Sequence, residues 1–222
     1  MNQLKPKRAE NAQCYTHAMR KVILFDMFGV LMEHVSADGM SKLAATTGAL
    51  DKGITSEQFW EAWGRHRHEY DAGTISSEDY WQLVAKDLGV DLDWQAYEAA
   101  ELHGFGIPDP AMIEWALSLK DPETQVAILS NIPFHMREGL YTELDFLADF
   151  DYRFYSCELK VAKPNPAFYQ HALDEMKIAP EAVLFFDDNL ENVAGAKKLG
   201  INAHQHLNLS ESAEVAKEFL AN

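Results

Sequence analysis

The sequence predicts an α/β fold, a doubly wound parallel sheet with an all-helical insertion directly after its first strand. Three observations predict it. Short continuous apolar runs stand at 22–25, 126–129 and 183–186, with a weaker one at 152–155. Runs of that length and composition are what strands buried on both faces require. Helical patterns follow at 133–141, 166–176 and 190–199, and strand–helix alternation implies a parallel sheet. Between the first run and the rest, residues 35–104 show helical spacing instead.

Taken in order, residues 1–20 are polar and contain no apolar stretch that could serve as a secretory signal. They read as an N-terminal extension, and Met19 is an alternative start. The core is expected to comprise 21–34 and 105–222, and the helical module 35–104. Within that module Thr55-x-x-Gln58 and Ser76-x-x-Asp79 are capping-box patterns. Phe59, Trp63 and Tyr70, then Trp81, Val84 and Leu88, recur at helical spacing. Four of the five tryptophans lie here, enough to give the module a core of its own.

Composition narrows the function classes. A chain of 222 residues with 47% hydrophobic content buries a core without disulfide or metal scaffolding. No run approaches the ~20 apolar residues of a membrane span. The formal charge is −16, and nine of those charges come from 33–104, which argues against nucleic acid or an anionic membrane as partner. A phosphorylated ligand would need a local cation, backbone amides or a well-placed lysine. Cys14 and Cys157 form no disulfide framework and no metal-ligand spacing, which fits a reducing, cytoplasmic setting. The sequence is consistent with a monomer or a homodimer.

Ligands of open parallel sheets bind beyond the carboxyl ends of the strands. Those ends carry Asp26, then Ser130-Asn131, then Asp187-Asp188-Asn189, with Lys163 in the loop before the 166–176 helix. Adjacent aspartates repel unless a cation separates them, and Mg²⁺ suits one or two carboxylates plus ligand oxygens. In the helical module Arg65 is the candidate for touching an anionic substrate. His66-x-His68 and His204-x-His206 lack a third ligand and read as surface histidines; Asn189 and Asn192 read as caps.

The segments VILFDMFGVL, ILSN, VAKPNPAFY and LFFDDNLENVAGAKKLG resemble, in order and spacing, the four motifs of the haloacid dehalogenase-like hydrolases with a helical cap after the first strand. The resemblance spans about 21–205 and is most specific in the fourth segment. It implies that Asp26 is the nucleophile and that Ser130 and Asn131 bind phosphoryl oxygens. It implies that Lys163 offsets charge, and that Asp26, the backbone carbonyl of Phe28 and Asp188 hold Mg²⁺ with Asp187 beside them. The function implied is a Mg²⁺-dependent phosphatase of a small phosphorylated metabolite, such as a sugar phosphate.

Two positions depart from the family pattern. Phosphatases of the family usually carry a second Asp two residues after the nucleophile, and here that residue is Phe28. Dehalogenases often have an aromatic residue there but lack the acidic pair, and some sugar-phosphate phosphatases also lack the second Asp. Two other readings therefore stand beside the first: a catalytically weakened phospho-ligand-binding relative, and a metal-independent 2-haloacid dehalogenase. The second departure is Lys160, where the family commonly has Gly, a change expected to reshape the loop that carries Lys163.

Overall fold

The computed structural model describes residues 20–222, so all of the expected N-terminal extension except Arg20 lies outside the described residues. Five parallel strands form one sheet in the order β3-β2-β1-β4-β5: β1 (Lys21–Phe25), β2 (Thr124–Ser130), β3 (Tyr152–Tyr155), β4 (Val183–Asp187) and β5 (Asn202–Gln205). β1 is central, with Val22–Phe25 in register with 125–128 of β2 on one side and 183–186 of β4 on the other.

The period of two along each strand sorts side chains onto two faces. Ile23, Phe25, Val126, Ile128, Leu184 and Phe186 meet α6 (Pro110–Ser118), α7 (Phe134–Glu143) and α11 (Leu209–Ala221). Val22, Leu24, Ala127, Leu129, Val183 and Phe185 meet α9 (Pro166–Met176) and α10 (Leu190–Lys197). Both faces are covered, and the sheet is doubly wound. The short α8 (Ser156–Leu159) follows β3 directly.

One strand escapes the apolar-run criterion. β5 reads NAHQ and buries only Ala203, because it pairs solely with β4 at the sheet's edge. A partly solvated edge strand needs no continuous apolar run. His204 is exposed on this strand.

Between β1 and α6 lie α1 (Ala37–Thr46), α2 (Ser56–Arg65), α3 (Arg67–Asp71), α4 (Ser77–Leu88) and α5 (Trp94–Phe105). They gather around a third cluster that includes Phe59, Tyr70, Tyr80, Trp81, Val84 and Tyr97. The Thr55–Gln58 box is complete: the Gln58 amide donates to Thr55 Oγ1 at 3.2 Å, and the Thr55 amide donates to Gln58 Oε1 at 2.9 Å. At Ser76 only half of it forms. The shorter Asp79 side chain accepts the serine hydroxyl at 2.7 Å instead of reaching the backbone amide. The apolar spacing from 59 to 70 does not mark one helix, since the chain breaks at His66 between α2 and α3. No helix among the described residues is long and apolar enough to cross a membrane.

Phe186 stacks on Phe25 with centroids 5.8 Å apart and meets Trp115 at 6.0 Å, all under the strand ends that carry the polar residues. Phe186→Ala should therefore lower unfolding free energy by about 3–5 kcal/mol. Urea denaturation monitored by far-ultraviolet circular dichroism measures it, and a loss below about 1 kcal/mol would mean the cluster closes over the gap.

Candidate active site

The polar strand ends converge on a buried lysine. Lys163 is 1% exposed, yet all three ammonium protons have acceptors. Its Nζ lies 2.8 Å from Asp26 Oδ1, 2.7 Å from Asp187 Oδ2 and 2.8 Å from the carbonyl of Leu129. These partners come from the ends of β1, β4 and β2, so one side chain closes the three central strands at their carboxyl edge. Burial works to lower the ammonium pKa, but Asp187 and Asp26 outweigh it and hold the group above its ordinary value, firmly protonated.

The loop carrying Lys163 is held by Asn131. The Lys163 amide donates to Asn131 Oδ1 at 2.8 Å, and Asn131 Nδ2 donates to the Lys163 carbonyl at 2.9 Å. The Asn131 side chain is thus spent on the lysine backbone, whereas sequence reasoning assigns it to a substrate oxygen. Beside it, Ser130 Oγ is fully buried with no hydrogen-bond partner. An orphaned buried hydroxyl is costly, and at a strand end beside Asp26 it is a donor available to a bound polar atom.

The aspartate pair divides in two. Asp187 is completely buried, and both its oxygens are occupied: Oδ1 accepts from the Asn189 amide at 2.8 Å and from Asn192 Nδ2 at 3.0 Å, while Oδ2 takes Lys163. Asn192, read from sequence as a cap, is therefore a support for Asp187; Asn189 does cap α10. Asp188 keeps 32% of its side chain exposed, with His34 Nε2 3.9 Å away. Gly29 makes this approach feasible. It adopts φ +77°, and a Cβ there would sit 2.6 Å from both Asp188 Oδ2 and His34 Cε1.

One oxygen from each of Asp26, Asp187 and Asp188 lies within 4.8 Å of the others. Three carboxylates thus face one ammonium. Burial pushes Asp26 well above the usual carboxylate range, against the pull of Lys163 and with repulsion from Asp187 and Asp188 added. Burial and Asp187 likewise raise Asp188. Hard oxygen donors with uncompensated negative charge suit a divalent cation, so the residues fit the implied Mg²⁺.

A cavity of about 180 Å³ opens beside this cluster, floored by Phe28 and Asn131, the neighbours of Asp26 and Ser130 in sequence. Trp63, Phe105 and Met136 line it with Arg67, Asp71 and Glu101. Wider depressions of about 550 and 500 Å³ are lined by none of the polar strand-end residues.

Arg65 is not at this cavity. Its side chain is 49% exposed and pairs with Asp87 at 2.8 Å and Glu61 at 3.0 Å around a separate depression. The arginine at the crevice is Arg67, because the break at His66 reorients the chain between the two. Arg67 Nε pairs with Asp71 Oδ1 at 2.7 Å, Nη1 pairs with Glu101 Oε1 at 2.8 Å, and the guanidinium lies 4.2 Å from the Trp63 ring centre. Its i,i+4 spacing from Asp71 was the available signal. Burial opposes ionisation of Glu101, but Arg67 and His135 hold its pKa below the ordinary value. His135, which the sequence reading missed, donates through Nε2 to Glu101 Oε2 at 2.7 Å, and its Nδ1 lies 2.8 Å from the Tyr70 hydroxyl. These contacts join α7 of the sheet layer to α3 and α5.

Lys160 takes the left-handed conformation itself, at φ +59°. Its side chain passes over the Phe134 ring, 4.5 Å from the centre, to donate to the Gly73 carbonyl after α3.

Removing the cation from a buried carboxylate pair is expensive, so Arg67→Ala should destabilise the fold by about 3–5 kcal/mol. Arg65→Ala should leave the urea midpoint unchanged, since its pairs are solvent-exposed. Equal effects of the two substitutions would contradict this placement.

Residues 20–200 match the haloacid dehalogenase-like hydrolase family. The sesquiterpene phosphatase astK of Aspergillus oryzae is 28% identical over 186 residues, covering 82% of this chain and 87% of its own. (S)-2-haloacid dehalogenase 4A of Burkholderia cepacia is 29% identical over 203 residues, with coverage of 82% and 80%. D-ribitol-5-phosphate phosphatase of Bacteroides thetaiotaomicron is 25% identical over 193 residues, with coverage of 84% and 92%. Among solved structures, a family enzyme of Bacteroides thetaiotaomicron in complex with magnesium and inorganic phosphate superposes with a TM-score of 0.63 at 18% identity, covering 84% of this chain and 93% of that one. The match across most of the chain and the parallel α/β core lead to one conclusion: the protein belongs to the haloacid dehalogenase-like hydrolases and is a hydrolase.

Proposed function

We propose that the protein is a Mg²⁺-dependent phosphatase of a small phosphorylated metabolite. The observation that carries this reading is the crowding of carboxylates at the strand ends: Asp26, Asp187 and Asp188 gather around Lys163, with His34 3.9 Å from Asp188 as the other basic group. The dehalogenase reading rests on Phe28 and on the dehalogenase relative, but halide displacement gives no use for the outward carboxylate of Asp188. The phosphatase relatives support the first reading.

In this reading Asp26 attacks phosphorus. Lys163 and the Met27 amide, the latter 2.7 Å away, both engage Oδ1, so Oδ2 is the attacking atom. The phosphorus–oxygen ester bond breaks, the organic oxygen leaves with the bonding pair, and water later cleaves the aspartyl-phosphate to release inorganic phosphate and restore Asp26. Ser130 Oγ donates to a phosphoryl oxygen, which gives the orphaned hydroxyl its partner. Lys163 offsets charge without moving. Asp26, Asp188 and the carbonyl of Phe28 would hold Mg²⁺, with Asp187 orienting Lys163 beside them, and the ion would supply neutralisation of the phosphoryl oxygens. Phe28 cannot protonate the leaving oxygen. A missing general acid costs on the order of 10²–10⁴-fold for an alkoxide and far less for a stable anion.

Turnover of 4-nitrophenyl phosphate tests this. Hydrolysis should require Mg²⁺, stop with chelator, and fall by roughly 10³-fold or more in Asp26→Asn. Single turnover in ¹⁸O-water should place the label in inorganic phosphate, since water attacks phosphorus; label in Asp26 would mark attack at the carboxyl carbon, the course of an alkyl ester in the dehalogenase reading. Mg²⁺-dependent phosphate binding with no turnover would favour the weakened relative, and chelator-insensitive release of chloride from 2-chloropropionate would favour the dehalogenase.

A further inference from the structure

We propose that the substrate's organic group is compact, apolar and uncharged, of the size of a single ring, so that the crevice selects aryl or cycloalkyl phosphate monoesters over polyhydroxylated ones. The proposal rests on the phosphatase reading and adds to it the class of substrate.

The walls argue for it first. Trp63 and Phe105 stack nearly parallel, with centroids 6.3 Å apart and 9° between planes, and Phe28 meets Phe105 edge-on at 6.5 Å. Met136, 1% exposed, completes an apolar surface. An apolar cavity of roughly 150 Å³ accepts one benzene-sized molecule, and this one measures about 180 Å³.

The charged and amide side chains at the cavity argue for it independently, because they are largely committed to one another. Arg67 forks onto Asp71 and Glu101, the second oxygen of Glu101 meets His135, and both amide atoms of Asn131 bind the Lys163 backbone. A polyol entering this space loses water from each hydroxyl and meets few open partners, the indole N–H of Trp63 being one, at about 1–3 kcal/mol for each group left unsatisfied. Charge excludes more: Arg67 faces two carboxylates, so a second anionic group on the substrate meets no free cation. Sequence position completes the case. Phe28 forms the floor of this cavity where an acid would otherwise stand, so one side chain both removes the proton donor and supplies apolar contact.

Two esters with similar primary alkoxide leaving groups separate binding from leaving-group effects. Cyclohexylmethyl phosphate and glucose 6-phosphate each carry a six-membered ring one carbon from the ester oxygen. The expected result is kcat/KM at least ~10-fold higher for the cyclohexylmethyl ester, a gap in the range one pocket produces. Trp63→Gln, with melting temperature recorded to exclude unfolding, should narrow the gap through KM. Calorimetry in the presence of Mg²⁺ compares cyclohexylmethylphosphonate with a polyhydroxylated alkylphosphonate, neither of which can be hydrolysed. Tighter binding of the apolar phosphonate is expected. Equal or reversed preference in either measurement overturns the proposal. Tight apolar phosphonate binding with no turnover of any ester would overturn the phosphatase reading and leave the substrate class supported.

Discussion

Everything at the carboxyl edge of the sheet depends on one buried ammonium. Isolated in an apolar interior, the Lys163 charge would be prohibitively costly. It is stable because Asp26, Asp187 and the Leu129 carbonyl present oxygens from three adjacent strands at hydrogen-bond distance. That requirement fixes the rest. The strands must end in step, the loop before α9 must be pinned from behind by Asn131, and Asp187 must be held by Asn192 and the Asn189 amide. The short polar side chains at the strand ends thus form one connected network, in which removing any member leaves a buried partner unpaired.

The same arrangement is electrostatically incomplete, and this gives it chemistry. A structural ion pair would match one lysine to one carboxylate. Here the third carboxylate, Asp188, is brought within reach only because Gly29 has no side chain, and Ser130 Oγ is kept dry and unpartnered. Both features cost stability, and on the proposed reading a cation and an anion bound together would relieve them. Groups that raise the energy of the unliganded state and fall on one crevice are the signature of a binding site.

Much of the core was legible in the sequence because burial on both faces forces continuous apolar runs, as at Val22–Phe25 and Val183–Phe186, and because turn residues must sit where the strands stop. The polar edge strand β5 was not legible, since Ala203 is its sole buried side chain and one residue makes no pattern. Within the site, residue types could be read but not the direction of each side chain. Asn131 and Ser130 are neighbours of similar polarity, yet one is spent on a backbone and the other is free. Arg65 and Arg67 are separated by a single residue, and the helix break at His66 sends them to different surfaces. His135 carried no local motif; its partners Tyr70 and Glu101 are 65 and 34 positions away.

The acidity of the chain then acquires a physical role. The protein carries a net charge of −16, and the residues between 33 and 104 are the more acidic part; on the proposed reading a phosphate monoester must approach against that charge. If the helices α1–α5 were to greet the phosphate, they would need free cations, and the arginine they turn toward the cavity is already balanced by Asp71 and Glu101. Among the described residues the strand ends are where the proposed reading has negative charge met, by Lys163 and by the divalent cation the carboxylates would hold, at short range with little screening. On that reading, long-range repulsion from the helical surface would work against misplacement: the charged end of a ligand would be favoured in one location, and the uncharged end left to the aromatic wall. Division of labour between sheet and helices follows from where charge is compensated, with no need for a specific hydrogen bond to enforce it.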